Sequence, residues 1–319
     1  MNQISHIALE PIPVVIAFTA NYLTPAATFI SSLLASSNTN DRFDIICLLA
    51  DELTDGMMEQ LHLLGGERAK FSFVASSGLL EGIYVDPVFT EAASYRLLLP
   101  NLLPTYDKIL YMDCDIIVRN NMADLYRSLD LGKNYLAAVY EATLHFQESY
   151  VKTLGCNLGC YFNSGVLIMN LSQMRADNMT SIFIEASRQR DLQFPDQDVL
   201  NKYCKGRTIG LAPYYNAIRT FLLPQYKPDF LKYYSEHDWQ LVQSQGNIHY
   251  TGGKPWNSFT VKFEQWWRYY EILPQEIKLY GQVNIKLYIL YKLCGTTIGR
   301  MLVSGVQSLY RKFKYKAML

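Results

Sequence analysis

Two acidic residues separated by one position, Asp113 and Asp115, stand directly after the apolar run Lys108–Met112. That run predicts a buried strand, so we expect both carboxylates where a core strand ends. A buried charge is unfavourable without a partner, and two adjacent carboxylates suit a divalent metal that in turn holds phosphates. The alternative is structural: Asp113 caps a turn and Asp115 pairs with Arg119.

Polar residues in two other segments suit the recognition of sugar hydroxyl groups. Asn163 precedes the apolar run 166–169 and is expected at the mouth of a strand, although an ordinary Asn turn has the same pattern. Asp196 and Gln197 begin a predicted helix, where an acid beside an amide can bind hydroxyl groups and stabilise developing positive charge. For Asp198 we predict a cap of the same helix.

The segment 249–256 combines residue types that bind metals with residue types that bind phosphates. The His249 imidazole can complete an oxygen-rich metal site, and Lys254 can neutralise phosphate charge. Gly252 and Gly253 let the backbone approach a diphosphate closely. The alternative is an ordinary Gly-Gly turn followed by a solvated lysine.

Alternating strands and helices must position these residues. Strands are predicted at 14–18, 43–49, 71–74, 108–112, 135–140 and 165–169, and helices at 26–35, 51–64, 91–99 (stopped by Pro100), 182–190 and 197–204. This alternation predicts right-handed βαβ units and an α/β fold with a mainly parallel central sheet. A boundary after about residue 257 divides a domain that contains the candidate site residues, 1–257, from an aromatic and basic region, 258–319.

Composition restricts the class of protein. With 319 residues, 50% apolar residues and 18% charged residues, the chain can bury a large core and is not disordered by composition. No apolar run is long enough for a membrane span, no signal peptide is evident, and the six cysteines are scattered as in reduced intracellular proteins. The net charge is zero, but residues 277–319 contain eight Lys or Arg and no Asp or Glu.

Six segments in order carry a resemblance to glycosyltransferase family 8, which includes bacterial lipopolysaccharide galactosyl- and glucosyltransferases. They are 17–22, 95–97, 111–118, 162–170, 196–201 and 249–256, within a match of roughly residues 13 to 257. The resemblance implies a GT-A (Rossmann-like) fold with a small helical C-terminal extension. It also implies a UDP-hexose donor, Mn²⁺ with Mg²⁺ as the alternative, and transfer with retention at the anomeric carbon.

The resemblance also assigns expected roles to individual residues. The metal ligands are Asp113, Asp115 and His249. The catalytic residues are Gln197 and Asp196, and the donor sugar is held by Arg96, Asp113, Asn163, Asp196 and Gln197. The nucleotide is bound by Ala17, Thr19, Asn21, Tyr22, Asp113, Cys114, Asp115, Gly252 and Lys254.

Two positions depart from the family pattern. Thr19 stands where many relatives have an acidic residue, which could alter the uracil contact. Gly253 alone separates Gly252 from Lys254, where relatives have two residues, and this changes how Lys254 reaches the phosphates. Retention allows a covalent intermediate on a carboxylate or attack on the same face as the leaving group. Since Gln197 is a poor nucleophile, same-face attack is favoured.

The basic and aromatic tail, residues 277–319, can lie in a membrane interface with its cations on anionic headgroups. Packing on the catalytic domain is the alternative. We therefore expect a cytoplasmic protein, peripheral on the inner face of the membrane. Its acceptor is an oligosaccharide or glycolipid such as lipopolysaccharide core, with capsule or glycoprotein glycans as alternatives. A non-catalytic sugar-nucleotide-binding protein is the rival class, and nucleic acid is not expected as a partner.

Overall fold

A computed structural model describes residues 10–80 and 91–296. Its strands are β1 Ile12–Phe18, β2 Phe43–Leu49, β3 Ala69–Ala75, β4 Lys108–Met112, β5 Ile116–Ile117, β6 Leu136–Tyr140, β7 Phe162–Asn170, β8 Thr208–Gly210 and β9 Ile248–His249. The helices of the first half are α1 Leu23–Ala35, α2 Asp55–Gly65, α3 Glu91–Ser94, α4 Leu99–Leu102, α5 Met122–Ser128 and α6 Glu148–Thr153.

The second half is mainly helical. Its helices are α7 Leu171–Ala176, α8 Met179–Ala186, α9 Pro195–Cys204, α10 Arg219–Leu222, α11 Lys227–Phe230, α12 Glu236–Gln245, α13 Phe263–Glu271, α14 Gln275–Leu279 and α15 Ile285–Cys294. Short 3₁₀ helices lie at Ala20–Tyr22, Tyr95–Leu97, His145–Gln147, Pro213–Asn216 and Pro224–Tyr226.

Seven strands form the central sheet in the order β3-β2-β1-β4-β7-β6-β8. The β1–β2, β2–β3, β1–β4 and β6–β8 pairs are parallel, whereas β7 is antiparallel to both β4 and β6. The α/β fold with a mainly parallel sheet and a helical C-terminal extension is therefore confirmed. The antiparallel β7 has a functional consequence, because its amino-terminal end lies beside the carboxyl end of β4.

A second sheet of two antiparallel strands, β5 and β9, pairs Ile116 with His249. The Tyr250 amide donates to the Asp115 carbonyl over 3.1 Å, and the Asp113 amide donates to the Gly165 carbonyl over 2.9 Å. These backbone contacts bring together three segments that are far apart in the sequence. They place the acid pair, the start of β7 and the histidine segment around one point.

Some predicted element boundaries are wrong. Pro100 does not stop a helix but lies in the first turn of α4, where its missing N–H has no helical partner to lose. The predicted helix 51–64 begins only at Asp55, after Thr54 caps it through the Met57 amide. Asn163 lies inside β7 and not before it, because β7 starts at Phe162.

The core lies on both faces of the sheet. Along β1, Val14, Ile16 and Phe18 face one cluster, which α1 covers, while Val15 faces the other. The C-terminal helices join the first cluster through buried residues that include Phe263, Trp266, Trp267, Ile277 and Leu287. Hydrogen bonds from Thr24 Oγ1 to the Ile277 carbonyl (2.9 Å) and from Trp267 Nε1 to the Pro255 carbonyl (3.1 Å) hold them there.

Within residues 10–80 and 91–296, no helix is both long enough and apolar enough to cross a membrane. The part of the predicted basic tail at 297–319 lies outside the described residues.

Candidate functional site

A cavity of about 600 Å³ opens at the carboxyl ends of β1 and β4, beside the start of β7 and the first turn of α9. This is the edge where ligands collect in open α/β sheets. All the residues assigned by resemblance line it except Asn21: Ala17, Thr19, Tyr22, Arg96, Asp113, Cys114, Asp115, Asn163, Asp196, Gln197, His249, Gly252 and Lys254. Asn21 is exposed and accepts a hydrogen bond from Thr19.

Asp113, Asp115 and His249 form a compact group in which one ligand atom of each residue lies within 4.8 Å of the others. His249 Nε2 is 3.2 Å from Asp115 Oδ1 and 3.7 Å from Asp113 Oδ2. Asp115 Oδ1 is buried and accepts no hydrogen bond from the described residues. Two carboxylates and one imidazole nitrogen converging in this way fit a divalent metal ion.

Lys254 forms an ion pair with Asp115 and donates to the Tyr250 carbonyl over 2.8 Å. Burial raises the pKa of the Asp115 carboxyl, but Lys254 and His249 together lower it by a larger amount. The pKa therefore lies below its ordinary value. The structural alternative for the acid pair is wrong, because Arg119 donates to backbone carbonyls of Ser244 and Gly246 and not to Asp115. The short spacing after Gly252 thus leaves Lys254 beside the acid pair.

Arg96 is a buried cation shared by two carboxylates. Its guanidinium contacts Asp113 Oδ1 over 2.8 Å and Asp196 Oδ2 over 3.1 Å, and it donates to the Ser164 carbonyl over 2.5 Å. Burial lowers the pKa of Arg96, but Asp113, Tyr111 and Asp196 together outweigh this effect, so that the pKa lies above its ordinary value. Burial raises the pKa of Asp196 despite the opposing effect of Arg96. Arg96 therefore joins the side of the cavity that contains Asp113, Asp115 and His249 to α9.

The Gln197 amide is held from both ends. Its Oε1 accepts from Asn163 Nδ2 (3.0 Å) and from the Ser164 backbone amide (3.1 Å). Its Nε2 donates to Tyr161 Oη (2.9 Å) and to Glu141 Oε1 (3.3 Å). Since each amide atom already has two partners, Gln197 has a single defined orientation.

Asp198 lies in the first turn of α9 and is not its N-cap, which is Phe194. Its carboxylate nevertheless accepts from the Phe194 amide over 2.8 Å and so satisfies an N–H group at the start of the helix. It also accepts from the hydroxyl groups of Tyr150 and Tyr161, the second over 2.5 Å. Burial raises the pKa of this carboxyl. Its partners are neutral hydrogen-bond donors, which distinguishes it from the paired carboxylates around Arg96.

Several polar residues of the site escaped sequence analysis, among them Glu141 and Asn216. Glu141 directly follows β6. An acidic residue at the end of a predicted strand was therefore the sequence signal that could have identified it as part of the site. Burial raises the pKa of Glu141 to about 7. Asn216 is the last residue of a 3₁₀ helix, after two tyrosines, and no sequence signal marked it. It is fully buried, with its Oδ1 2.9 Å from His249 Nδ1.

Comparisons with known proteins agree with this architecture. The model of the family described as Glycosyl transferase family 8 matches residues 13–260. The lipopolysaccharide 1,2-glucosyltransferase of Escherichia coli strain K12 is 30% identical over 251 residues, which cover 76% of this chain and 72% of that protein.

Two solved structures share the fold. The apo bifunctional glycosyltransferase WbbM superposes with a TM-score of 0.72 at 24% identity, and the superposition covers 86% of this chain but only 52% of that one. The galactosyltransferase LgtC, solved with donor and acceptor sugar analogues, superposes with a TM-score of 0.69 at 24% identity, over 84% of this chain and 100% of that one.

Replacing Gly165 by alanine is expected to disrupt the metal-binding group. A Cβ at this position would fall against the His249 ring and 2.8 Å from Asp113 Oδ2. We expect the Gly165→Ala variant to bind Mn²⁺ about 10-fold or more weakly in calorimetric titrations. The control is Gly56→Ala on α2, where the added Cβ meets Tyr280 at an ordinary 3.4 Å. Equal Mn²⁺ affinity in all three proteins would contradict the assignment.

The raised pKa of Glu141 predicts a pH-dependent stability difference. Between its ordinary pKa of 4.5 and about 7, the folded protein keeps a proton that the unfolded chain releases, so this group destabilises the fold as pH rises through that window. The free energy of unfolding of Glu141→Gln should therefore increase relative to wild type between about pH 5 and pH 8. Urea denaturation of both metal-free proteins measures this, and parallel pH profiles would contradict it.

Proposed function

Because the chain belongs to glycosyltransferase family 8, we propose that it is a retaining hexosyltransferase. It moves galactose or glucose from a UDP-sugar to a hydroxyl group of a cell-surface oligosaccharide such as lipopolysaccharide core. The convergence of Asp113, Asp115 and His249 on one point in the cavity carries this proposal. A sugar nucleotide has a diphosphate, and this group can hold that diphosphate through a metal ion.

Mn²⁺ is the proposed cofactor, with Mg²⁺ as the alternative. One imidazole nitrogen among carboxylate oxygens suits Mn²⁺, while Mg²⁺ prefers an all-oxygen site with several waters. When bound, the metal supplies positive charge that stabilises the leaving diphosphate as the glycosidic bond lengthens. Lys254 and the backbone at Gly252 are proposed to hold the same diphosphate.

The contacts of the two predicted catalytic residues favour same-face attack. Asp196 Oδ2 is engaged by Arg96 and by the Ser164 hydroxyl (3.0 Å), and Gln197 Oε1 already accepts two hydrogen bonds. The Arg96 ion pair lowers the nucleophilicity of the Asp196 carboxylate, and Gln197 is a neutral amide, which is a poor nucleophile. The donor sugar is proposed to be bound by Asp196, Asn163 and Gln197. The carboxylate oxygens of Asp196 and the amide oxygen of Gln197 are proposed to stabilise positive charge on the sugar ring.

The proposed acceptor and location rest on relatives and on surface chemistry. The Escherichia coli relative is a lipopolysaccharide glucosyltransferase by name, which supports an oligosaccharide or glycolipid acceptor. On α15, Ile285, Ile289 and Leu293 are each more than half exposed and recur every four residues along one stripe. This stripe supports cytoplasmic action at the inner face of a membrane, with residues 258–319 as the attachment region and residues 1–257 as the catalytic domain.

Donor hydrolysis tests the activity directly. Purified protein with Mn²⁺ is expected to release UDP from one member of a panel of UDP-sugars, and Asp113→Asn with Asp115→Asn should lower that rate at least about 100-fold. Asp107→Asn, at a carboxylate 85% exposed, is the matched control and should keep the rate. The panel also identifies the sugar.

The outcomes of this assay are distinct. UDP and Mn²⁺ binding without release, even with lipopolysaccharide core present, would support a non-catalytic binding protein. Failure to bind either UDP or Mn²⁺ would overturn the proposed function.

Membrane attachment is tested by charge on the α15 stripe. Ile285→Glu with Ile289→Glu should reduce binding to vesicles containing phosphatidylglycerol roughly 10-fold, because two apolar contacts are lost and anionic lipid repels the new charges. Leu63→Glu, on α2 and 65% exposed, is the control. Vesicle flotation measures the difference, and equal flotation of all three proteins would refute the attachment.

A further inference from the structure

A continuous chain of hydrogen bonds runs from Asp198 to His249. From Asp198 it passes through Tyr161 to three side-chain amides, which we call the amide relay: Gln197, Asn163 and Asn216. Asn216 is fully buried, and Gln197 and His249 are at most 7% exposed. Asn216 has no access to water, so its donor and its acceptor must both have partners within the protein. Asn163 is partly exposed to the cavity, and its orientation follows from its hydrogen bonds.

The orientation of Gln197 follows from groups that have only one role. The Ser164 backbone amide can only donate, so the atom 3.1 Å from it must be the Gln197 oxygen. At the other end of the side chain, Tyr161 gives its proton to the Asp198 carboxylate and can accept from Gln197 Nε2. The reversed amide would place two donors together near Ser164.

The same reasoning applies to Asn163. The Gly165 backbone amide donates to Asn163 Oδ1 over 3.1 Å, so the opposite atom, Nδ2, is the one that donates to Gln197 Oε1. Asn216 also contacts Asn163 Oδ1, at 2.9 Å, and must therefore present its Nδ2 group. This leaves Asn216 Oδ1 facing His249 Nδ1.

We propose that Asn216 is a positioning residue that keeps a proton on His249 Nδ1 and turns Nε2, the nitrogen available to a metal, towards Asp113 and Asp115. An amide oxygen can only accept, so the ring nitrogen 2.9 Å from it must carry a proton. The direction of every bond in the relay derives from two backbone amides of β7. Strand β7 thus sets the tautomer of a side chain on β9.

The relay also joins the two halves of the proposed site. Asn163 and Gln197 lie on the donor-sugar side of the cavity, and His249 lies on the metal side. Their orientations depend on one another through Asn216, because reversing one amide leaves like groups facing each other at the next. The consequence for metal binding rests on the proposed function, whereas the tautomer itself does not.

Nitrogen NMR of the full chain labelled with ¹⁵N-histidine tests the tautomer without metal or substrate. The chain has only five histidines, and the His249 signals are those lost in His249→Gln. We expect His249 Nδ1 to carry a proton in the wild-type protein, whether or not Nε2 also shares one with Asp115 Oδ1, 3.2 Å away. A neutral His249 with its proton on Nε2 would overturn the proposal.

Variants at a distance test the relay. Asn163→Leu removes the acceptor of Asn216 Nδ2 and should weaken the preference for the Nδ1-protonated tautomer, while Asn163→Asp keeps that acceptor and should preserve it. Asn216→Leu should abolish the preference. The control is Asn247→Leu: Asn247 is also fully buried, but its side chain bonds elsewhere, to Arg119, Asn120 and Tyr215. A tautomer that is the same in all five proteins would refute the relay.

Metal affinity provides the second measurement. Loss of the group that orients a ligating histidine typically lowers metal affinity 10- to 100-fold, and we expect about this loss of Mn²⁺ affinity in Asn216→Leu and little loss in Asn247→Leu. If wild-type protein shows the Nδ1-protonated tautomer but binds no Mn²⁺, the proposed metal site fails and the relay stands. If the two variants lose Mn²⁺ affinity equally, Asn216 is only structural and the proposal falls.

Discussion

Burial of negative charge at the end of the central sheet is the constraint on which the site depends. Asp113 and Asp115 lie in the turn between β4 and β5, Asp196 lies on α9, and each carboxylate is largely removed from water. A carboxylate in such a place is strongly destabilising without a cation. Arg96 therefore lies between Asp113 and Asp196, and Lys254 lies on Asp115.

This arrangement also determines which groups remain for chemistry. Arg96 contacts two carboxylates and donates to the backbone carbonyls of Ser164 and Ala93, so these contacts fix the orientation of Asp113 and Asp196. Asp115 Oδ1 and His249 Nε2 face each other with no donor among the described residues at the oxygen. A divalent cation at this point would satisfy both atoms. The metal, and the diphosphate that it would hold, are therefore expected on this side of the cavity, and the sugar is expected on the side of Gln197.

Much of the fold was predictable because apolar periodicity is a local signal. The strand Phe43–Leu49 was predicted at its exact bounds and β4 was placed correctly, since buried strands of a parallel sheet are nearly continuous apolar runs. The error at Pro100 also has a local cause. Proline occurs both where helices end and in the first turn of helices, so the residue type alone does not show which of the two applies. Asn163 was placed before β7 because its polar side chain interrupts the apolar pattern that marks the strand.

By itself the sequence determined the α/β class, the strands that end at the site, and the residue types with metal and phosphate chemistry. These depend on hydrophobic pattern and on short motifs, which are properties of neighbouring residues. Only the tertiary structure decided that Lys254 pairs with Asp115, that Glu141 faces Gln197, and that Asn216 holds His249. Hydrogen-bond and ion-pair partners are chosen by proximity across β4, β7 and β9, and no local pattern encodes which distant side chain will fill a buried position.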